Sequence, residues 1–144
     1  MSTSTGAHSV KVDEVRQRIY LKLEGLMSDE EVTRAADEFI AALSKMKPGF
    51  VVINDITRLK VLTQASTLEV KRASEAAVAK GLSVSVRVVG DCPTANMQFN
   101  RNAASVGYAT ATASSVEEAE QISRRVGWSD RLLDEEAARQ KQRG

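Results

Sequence analysis

The sequence is poor in the residues that most often build chemical sites. It has one cysteine, Cys92, and one histidine, His8, in 144 residues. A single cysteine excludes an intrachain disulfide and a cysteine-rich zinc site. The lone histidine lies in a Ser/Thr-rich N-terminus, so neither a His-based metal cluster nor a catalytic triad is available. We therefore expect no metal site and no catalytic residue.

Glycine-rich phosphate-binding motifs are also missing. No predicted strand is followed by G-x-G-x-x-G, and the chain has no G-x-x-x-x-G-K-[ST] segment. Where a carboxylate does follow a strand, no histidine or second acid accompanies it for acid–base chemistry. These absences disfavour a nucleotide-binding enzyme. We expect a non-enzymatic protein without a cofactor.

Aromatic residues, net charge and long apolar runs are scarce as well. Aromatic residues make up 4% of the chain and the net charge is +1, so we expect no nucleic-acid partner. No apolar run approaches the roughly 20 residues of a membrane span. The N-terminus also lacks the form of a signal peptide. These features predict no membrane span and a cytoplasmic location.

The sequence does contain an alternation of strand and helix patterns around Phe50–Thr57. This segment begins with four apolar residues in a row, which favours a strand buried on both faces, as in a parallel sheet. Residues 18–24 alternate between apolar and polar, which predicts a half-buried strand that pairs with a short strand at Val10–Val12 in an edge hairpin. Two more strands are predicted at 83–89 and 108–113.

Four helices are predicted between and after these strands. Ser28 is the N-cap of the first, with Glu31 at the capping-box position. Thr63 caps the second helix, which Gly81 ends, and its alanines should allow close approach to the sheet. The third helix begins near Thr94, and Ser115 caps the fourth.

The predicted fold is α/β, with a mainly parallel sheet of four strand–helix units and an extra N-terminal edge strand. Residues 1–9 are small and polar, and we interpret them as a disordered tail. Residues 10–128 form the folded domain. Residues 129–144 are strongly charged and predict a solvated C-terminal helix or tail.

Candidate site residues follow the central strand. Asn54 and Asp55 lie at its carboxyl end, where ligands and partners of α/β domains bind. Asp55 has an alternative role in capping the following turn. Thr63, Ser66 and Thr67 lie at a helix N-terminus, which suits either phosphate or simple capping.

A second candidate surface is the polar segment 96–102. Met97 and Phe99 are two apolar anchors in it, and Arg101 adds a charge. One interpretation is a recognition surface for a partner. The alternative is a short helix that places Met97 or Phe99 in the core.

The order strand, strand, helix, then strand–helix three times resembles the STAS domain of anti-sigma factor antagonists and sulphate transporters. Val-Ile-Asn-Asp-Ile-Thr within Phe50–Leu68 looks like that family's strand ending in Asp-Leu-Ser. Lys47–Phe50, Arg87–Gly90 and Met97–Phe99 look like segments of an uncharacterised bacterial branch that shares its fold with CRAL-TRIO lipid-transfer domains. The resemblance covers about Arg18 to Val126.

The resemblance implies a regulatory protein-binding domain that acts in partner switching or as a scaffold. In phosphorylatable members a kinase modifies a serine in an Asp-Ser-Ser-Gly segment at the start of the second helix. The matching stretch here is Thr63–Thr67, without the acidic residue and the glycine, so Thr63 and Ser66 are the candidate phosphorylation sites. The expected partner surface comprises Asn54, Asp55, Thr63, Ser66, Thr67, Met97, Phe99 and Arg101.

Two further hypotheses belong to other classes. By analogy with CRAL-TRIO domains, the chain is a carrier of a small apolar ligand, which requires a sizeable apolar pocket. Alternatively, it is a self-assembling module that forms a homo-oligomer through an exposed edge strand at Ile19–Leu23.

Overall fold

The computed structural model describes residues 6–126, and its first two strands form an antiparallel hairpin. Strand β1 (Ala7–Asp13) pairs with β2 (Arg18–Glu24) along its whole length, from Ala7 opposite Glu24 to Asp13 opposite Arg18. The prediction that residues 7–9 belong to a disordered tail is therefore wrong. These residues are held by the ladder and by His8, whose ring nitrogens contact the carboxylates of Glu31 and Glu38.

The connection after the hairpin is the predicted amphipathic helix. Helix α1 (Asp29–Ala42) begins where the Ser28 hydroxyl accepts a hydrogen bond from the Glu31 backbone N–H at 3.2 Å. The capping position is thus the one the sequence predicts. A 3₁₀ turn at Leu43–Lys45 follows the helix. The buried face of α1 consists of Val32, Ala35, Ala36, Phe39 and Ala42.

The central strand is buried on both faces, as its unbroken apolar run predicts. In β3 (Val51–Asp55) the first four residues are buried. Helix α2 (Gln64–Lys80) follows and is capped by Thr63, whose hydroxyl accepts from the Ser66 N–H at 3.0 Å. Gly81 ends this helix with a φ of 103°, a left-handed conformation that glycine adopts without strain.

The remaining elements complete the predicted order. They are β4 (Val84–Val88), α3 (Pro93–Val106), β5 (Thr110–Ala113) and α4 (Val116–Val126). The sheet has the spatial order β1-β2-β3-β4-β5, and only the β1–β2 pair is antiparallel. The described fold is therefore α/β with a mostly parallel five-stranded sheet.

The helices divide between the two faces of this sheet. Helix α2 lies mainly against α1 and α3, which places these three helices in one layer, whereas α4 lies against β3, β4 and β5. In β3, Val52 packs towards α1 and α2, and the alternate residues Val51 and Ile53 pack towards α4 and Ala119. The sheet thus separates two apolar cores.

Strand β2 is an interior strand, because β1 pairs with one side of it and β3 with the other. The prediction of an exposed edge at Ile19–Leu23 is wrong for this reason. The alternation in β2 arises because its two faces differ, with Ile19 and Leu23 in the core and Lys22 exposed. Within the described sheet, the edges are β1 and β5.

The predicted charged segment 129–144 lies outside the described residues. Within residues 6–126, none of the helices combines the length and the apolar character that crossing a membrane requires.

Candidate functional site

Asp55, at the carboxyl end of β3, forms a closed local turn. Its Oδ1 accepts from the Thr57 backbone N–H at 3.0 Å and from the Thr57 hydroxyl at 2.5 Å. This is the turn-capping role that was the alternative for Asp55. The strands also follow one another without a reversal of order, so the described sheet lacks the topological switch point at which such folds open a ligand crevice.

Asn54 points to the interior. It is 5% exposed, and among the buried side-chain atoms of residues 6–126 its Oδ1 is the one without a hydrogen-bond partner. It lines a cavity between the sheet and helices α1–α3. Burial removes Asn54 from the surface on which the sequence interpretation placed it.

The hydroxyl groups at the start of α2 are bound to α1. Asp29 Oδ1 accepts from the Thr63 hydroxyl at 2.5 Å and from the Ser66 hydroxyl at 2.8 Å. The hydrogen bonds from Thr63 and then Ser66 lower the pKa of the Asp29 carboxyl below its usual value. Thr63 is exposed, whereas Ser66 is fully buried. The prediction that Ser66 is a surface residue is therefore wrong, because α1 and α2 pack over it.

Helix α3 separates the two predicted anchors. Phe99 is 4% exposed and packs in the core with Ala95, so its predicted surface position is wrong. Met97 is 49% exposed, and the guanidinium of Arg101 donates to its Sδ at 3.6 Å. Ala95, Phe99 and Ala103 are buried at four-residue spacing, a pattern that could have identified the core face.

Arg87 explains the asparagines of this helix, and sequence reasoning missed it. This strand residue is 2% exposed. Its Nη1 donates to Asn96 Oδ1 at 2.9 Å and to Asn100 Oδ1 at 2.6 Å, and its guanidinium stacks 5.5 Å from the centre of the Phe99 ring. Burial lowers the pKa of Arg87 below its usual value. Two of the asparagines therefore hold a buried cation and are not free to contact a partner.

A groove of about 420 Å³ lies between the outer faces of α2 and α3. It brings together Thr67 and Arg101, two of the predicted site residues, with Lys71 and the 63% exposed Leu68. Amides and a hydroxyl complete its lining, to which no acidic side chain of residues 6–126 contributes. The full lining is Gln64, Thr67, Leu68, Lys71, Gln98, Arg101, Asn102 and Ser105.

The charges of this groove are uncompensated. Within the part of the chain that the structure describes, neither Lys71 nor Arg101 forms an ion pair. The next residue of α2, Arg72, faces the other way and pairs with Asp37 of α1 at 2.7 Å. The groove is thus a positively charged channel with an apolar side chain at its rim.

Another polar cluster joins β2 to α4 on the opposite face of the sheet. Arg18 is 0% exposed, and its Nε donates to Glu120 Oε2 at 3.2 Å. The Tyr20 hydroxyl donates to Glu120 Oε1. Burial, with the hydrogen bond and charge of Glu120, raises the pKa of Tyr20 to about 12. These contacts fix α4 on the sheet.

Residues 6–126 contain no candidate metal-binding site. Among them, no three His, Cys, Asp or Glu side chains lie close enough together to hold a metal ion.

Comparisons of the chain with protein-family models, with curated proteins and with solved structures found no match.

Proposed function

We propose that this chain is a non-enzymatic regulatory module of the STAS type, and that it binds an acidic segment of a partner protein in the groove between α2 and α3. The order of the described elements supports the STAS comparison, because it is strand, strand, helix and then strand–helix three times. A role in partner switching or as a scaffold follows from that comparison.

The composition of the groove carries the proposal. Among the described residues, Lys71 and Arg101 offer two cations without an acidic neighbour in the lining, so a carboxylate of a partner gains attraction without displacing an ion pair of that part of the chain. Exposed Leu68 in the lining, and exposed Met97 beside Arg101, provide apolar contacts of the kind found in interface cores. The side-chain amide of Gln64 supplies a donor that fixes orientation.

Rigidity of the groove walls also supports binding. The side chain of Gln98 donates to the Leu62 carbonyl and accepts from the Leu62 N–H, both at 2.9 Å. This pair of bonds fastens the loop before α2 to α3. A preformed groove costs little ordering entropy when a partner binds.

Thr63 is the position where phosphorylation would act on this module. A phosphate on Thr63 would replace the hydrogen bond to Asp29 by repulsion between two negative groups. The contact between α1 and the start of α2 would then open, and Gln64 and Thr67 of the groove would move. Ser66 is inaccessible to a kinase while this contact is closed.

The test is affinity capture from the native host with the full chain, followed by a binding titration with the captured partner. The double variant Lys71→Glu/Arg101→Glu is expected to weaken binding at least roughly tenfold through charge repulsion. The double variant Lys45→Glu/Arg125→Glu makes the same change of net charge at exposed residues outside the groove. Equal affinity of the two double variants would rule out the groove as the interface.

Self-association is a separate prediction that the same material can test. Homo-oligomers would form through β1 or β5, the edges of the described sheet. Light scattering of the eluting chain from low to high concentration measures the mass directly, and a constant monomer mass would exclude this mode.

A further inference from the structure

A cavity of about 60 Å³ lies beneath the inner face of α2. Leu23 and Val52 of the sheet form its floor, with Phe39, Val70 and Phe99 among the helix side chains around it. Each of its lining residues is buried or half-buried. The cavity lies on the inner side of α2 and shares no lining residue with the outer groove.

The small residues of α2 produce this cavity. Ala73, Ser74 and Ala77 face the sheet, and the sequence predicted that such residues would let the helix come close. Instead, α2 rests mainly on α1 and α3, which hold it off the sheet while its short side chains leave the space unfilled. Interiors of proteins contain few voids larger than a water molecule, so this one is unusual.

One buried polar atom of this lining has no partner within the described part of the chain. Asn54 Oδ1 is a buried acceptor that residues 6–126 leave unbonded. Leaving such an atom unsatisfied is costly, and native structures contain few examples. Two other polar side chains of the lining have partners, since the amide of Asn102 donates to Ser74 Oγ at 2.8 Å and to Tyr108 Oη at 2.9 Å.

We propose that this cavity binds a small uncharged molecule that is mostly apolar and donates one hydrogen bond to Asn54 Oδ1. An engineered cavity of about 150 Å³ holds benzene with its six non-hydrogen atoms, so this cavity of about 60 Å³ fits roughly two or three non-hydrogen atoms. The ligand therefore has the size of a short-chain alcohol. A lipid chain does not fit, which separates this site from the larger pocket that the CRAL-TRIO analogy requires.

The site is independent of the proposed protein-binding function. The hydrogen bonds of Asn102 to Ser74 and Tyr108 lie between the cavity and the outer groove. Loss of partner binding in the groove variants would leave the cavity and Asn54 unchanged. The reverse also holds, because substitutions inside the cavity do not alter Lys71 or Arg101.

Two probes of equal size distinguish a hydrogen-bond donor from a molecule that only accepts. Ethanol and acetonitrile have the same number of non-hydrogen atoms, but only the alcohol donates a hydrogen bond through its hydroxyl group. We expect ethanol to shift the methyl resonances of Leu23 and Val70 in a saturable manner. Acetonitrile should need a roughly tenfold higher concentration for the same shift, because it leaves Asn54 Oδ1 unpaired.

Matched variants locate the response. Asn54→Leu should abolish the preference for ethanol, and Ala77→Val should weaken binding of both probes because its methyl groups enter the cavity. Ala79→Val makes the same change on the exposed face of α2 and should leave both titrations unchanged. If Ala77→Val fails to fold, Ala73→Val alters the same wall.

Three results would overturn the proposal. The first is the absence of saturable shifts with either probe, and the second is equal affinity for alcohol and nitrile in the wild-type chain. The third is a resident water that gives an exchange cross-peak to the Asn54 side chain and persists in excess ethanol. In that last case, the cavity is a water site only.

Discussion

Replacing Asn54 by leucine should make the protein more stable. Asn54 is almost fully buried in the central strand, and its Oδ1 lacks a partner. Asn54→Leu removes this acceptor and keeps the number and branching of the side-chain atoms. The larger methyl groups of leucine can extend into the adjacent cavity of about 60 Å³, so overpacking is avoided.

The size of the stabilisation expected from Asn54→Leu follows from the buried, unsatisfied acceptor that it removes. A buried unsatisfied polar group costs about 1–3 kcal/mol, and Asn54→Leu should recover most of it. New apolar contacts with the cavity walls add to this gain, whereas the shape change of the core subtracts a part. We expect a net increase of about 1–3 kcal/mol in the free energy of unfolding. For a domain of this size, each kcal/mol raises the melting temperature by roughly 3–5 °C.

Urea unfolding monitored by circular dichroism measures this difference in ligand-free buffer. Asn96→Leu is the matched control, since it makes the same substitution at an amide whose Oδ1 accepts from buried Arg87 at 2.9 Å. That control should lower stability by about 1–3 kcal/mol. If Asn54→Leu also lowered stability by that amount, Asn54 Oδ1 would have a partner in solution, and the reasoning from an orphan acceptor would fail.

Three further predictions concern the loop contacts and the titrating groups. Gly90→Ala should cost about 2–3 kcal/mol, because its Cβ would lie 1.9 Å from the Thr57 carbonyl oxygen; an unchanged urea midpoint would contradict this contact. The pKa of Tyr20 is raised to about 12, so Tyr20 keeps its proton to a higher pH in the folded state than in the unfolded chain. The contribution of Tyr20 to the free energy of unfolding is fully present below pH 10. It should decrease by about 1–2 kcal/mol between pH 10 and 12 after solvent screening, and Tyr20→Phe should remove this decrease. The pKa of Asp29 is lowered by Thr63 and Ser66, so its contribution is present above the ordinary aspartate pKa and is lost as pH falls through the folded value. Asp29→Asn should flatten the acid side of the stability profile, and an unaltered profile would contradict the assignment.

Local signals in the sequence were sufficient for the element order. Thr63 and Gly81 predict both ends of α2 because a cap acts within one turn and depends little on tertiary structure. The unbroken run at the start of Phe50–Thr57 likewise predicts a strand buried on both faces, and Val51 and Val52 are buried towards opposite helical layers. These features depend on the neighbours along the chain.

Whether each site residue points to the core or to the surface depends on tertiary packing, and the sequence interpretation predicted this less well. Phe99 and Met97 are two positions apart on a helix, so they point in different directions, and only the packing of α3 decides which one is buried. Arg87 is charged but lies in the core, because Asn96 and Asn100 from the next helix satisfy it. Nothing within β4 alone indicates that such partners will come from α3.

The alanines of α2 show a related limit. Their size indicates that a helix can approach a sheet, but the final distance depends on what else supports the helix. Here α2 packs mainly against α1 and α3, and the space between α2 and the sheet remains as a cavity. Small side chains on a helix indicate how closely it can approach a sheet, but the packing of the neighbouring helices decides how close it comes.

The sequential strand order has a consequence for how the chain is made. Within the described sheet, each strand hydrogen-bonds only to its neighbours in sequence, so the ladders can form in the order in which the ribosome synthesises them. Helix α4 is the exception, since it returns across β3, β4 and β5 after all of them exist. Until that moment Val51, Ile53 and Val86 form a bare apolar sheet surface. A nascent or truncated chain that stops before Val116 therefore presents a face suited to chaperone capture or to aggregation.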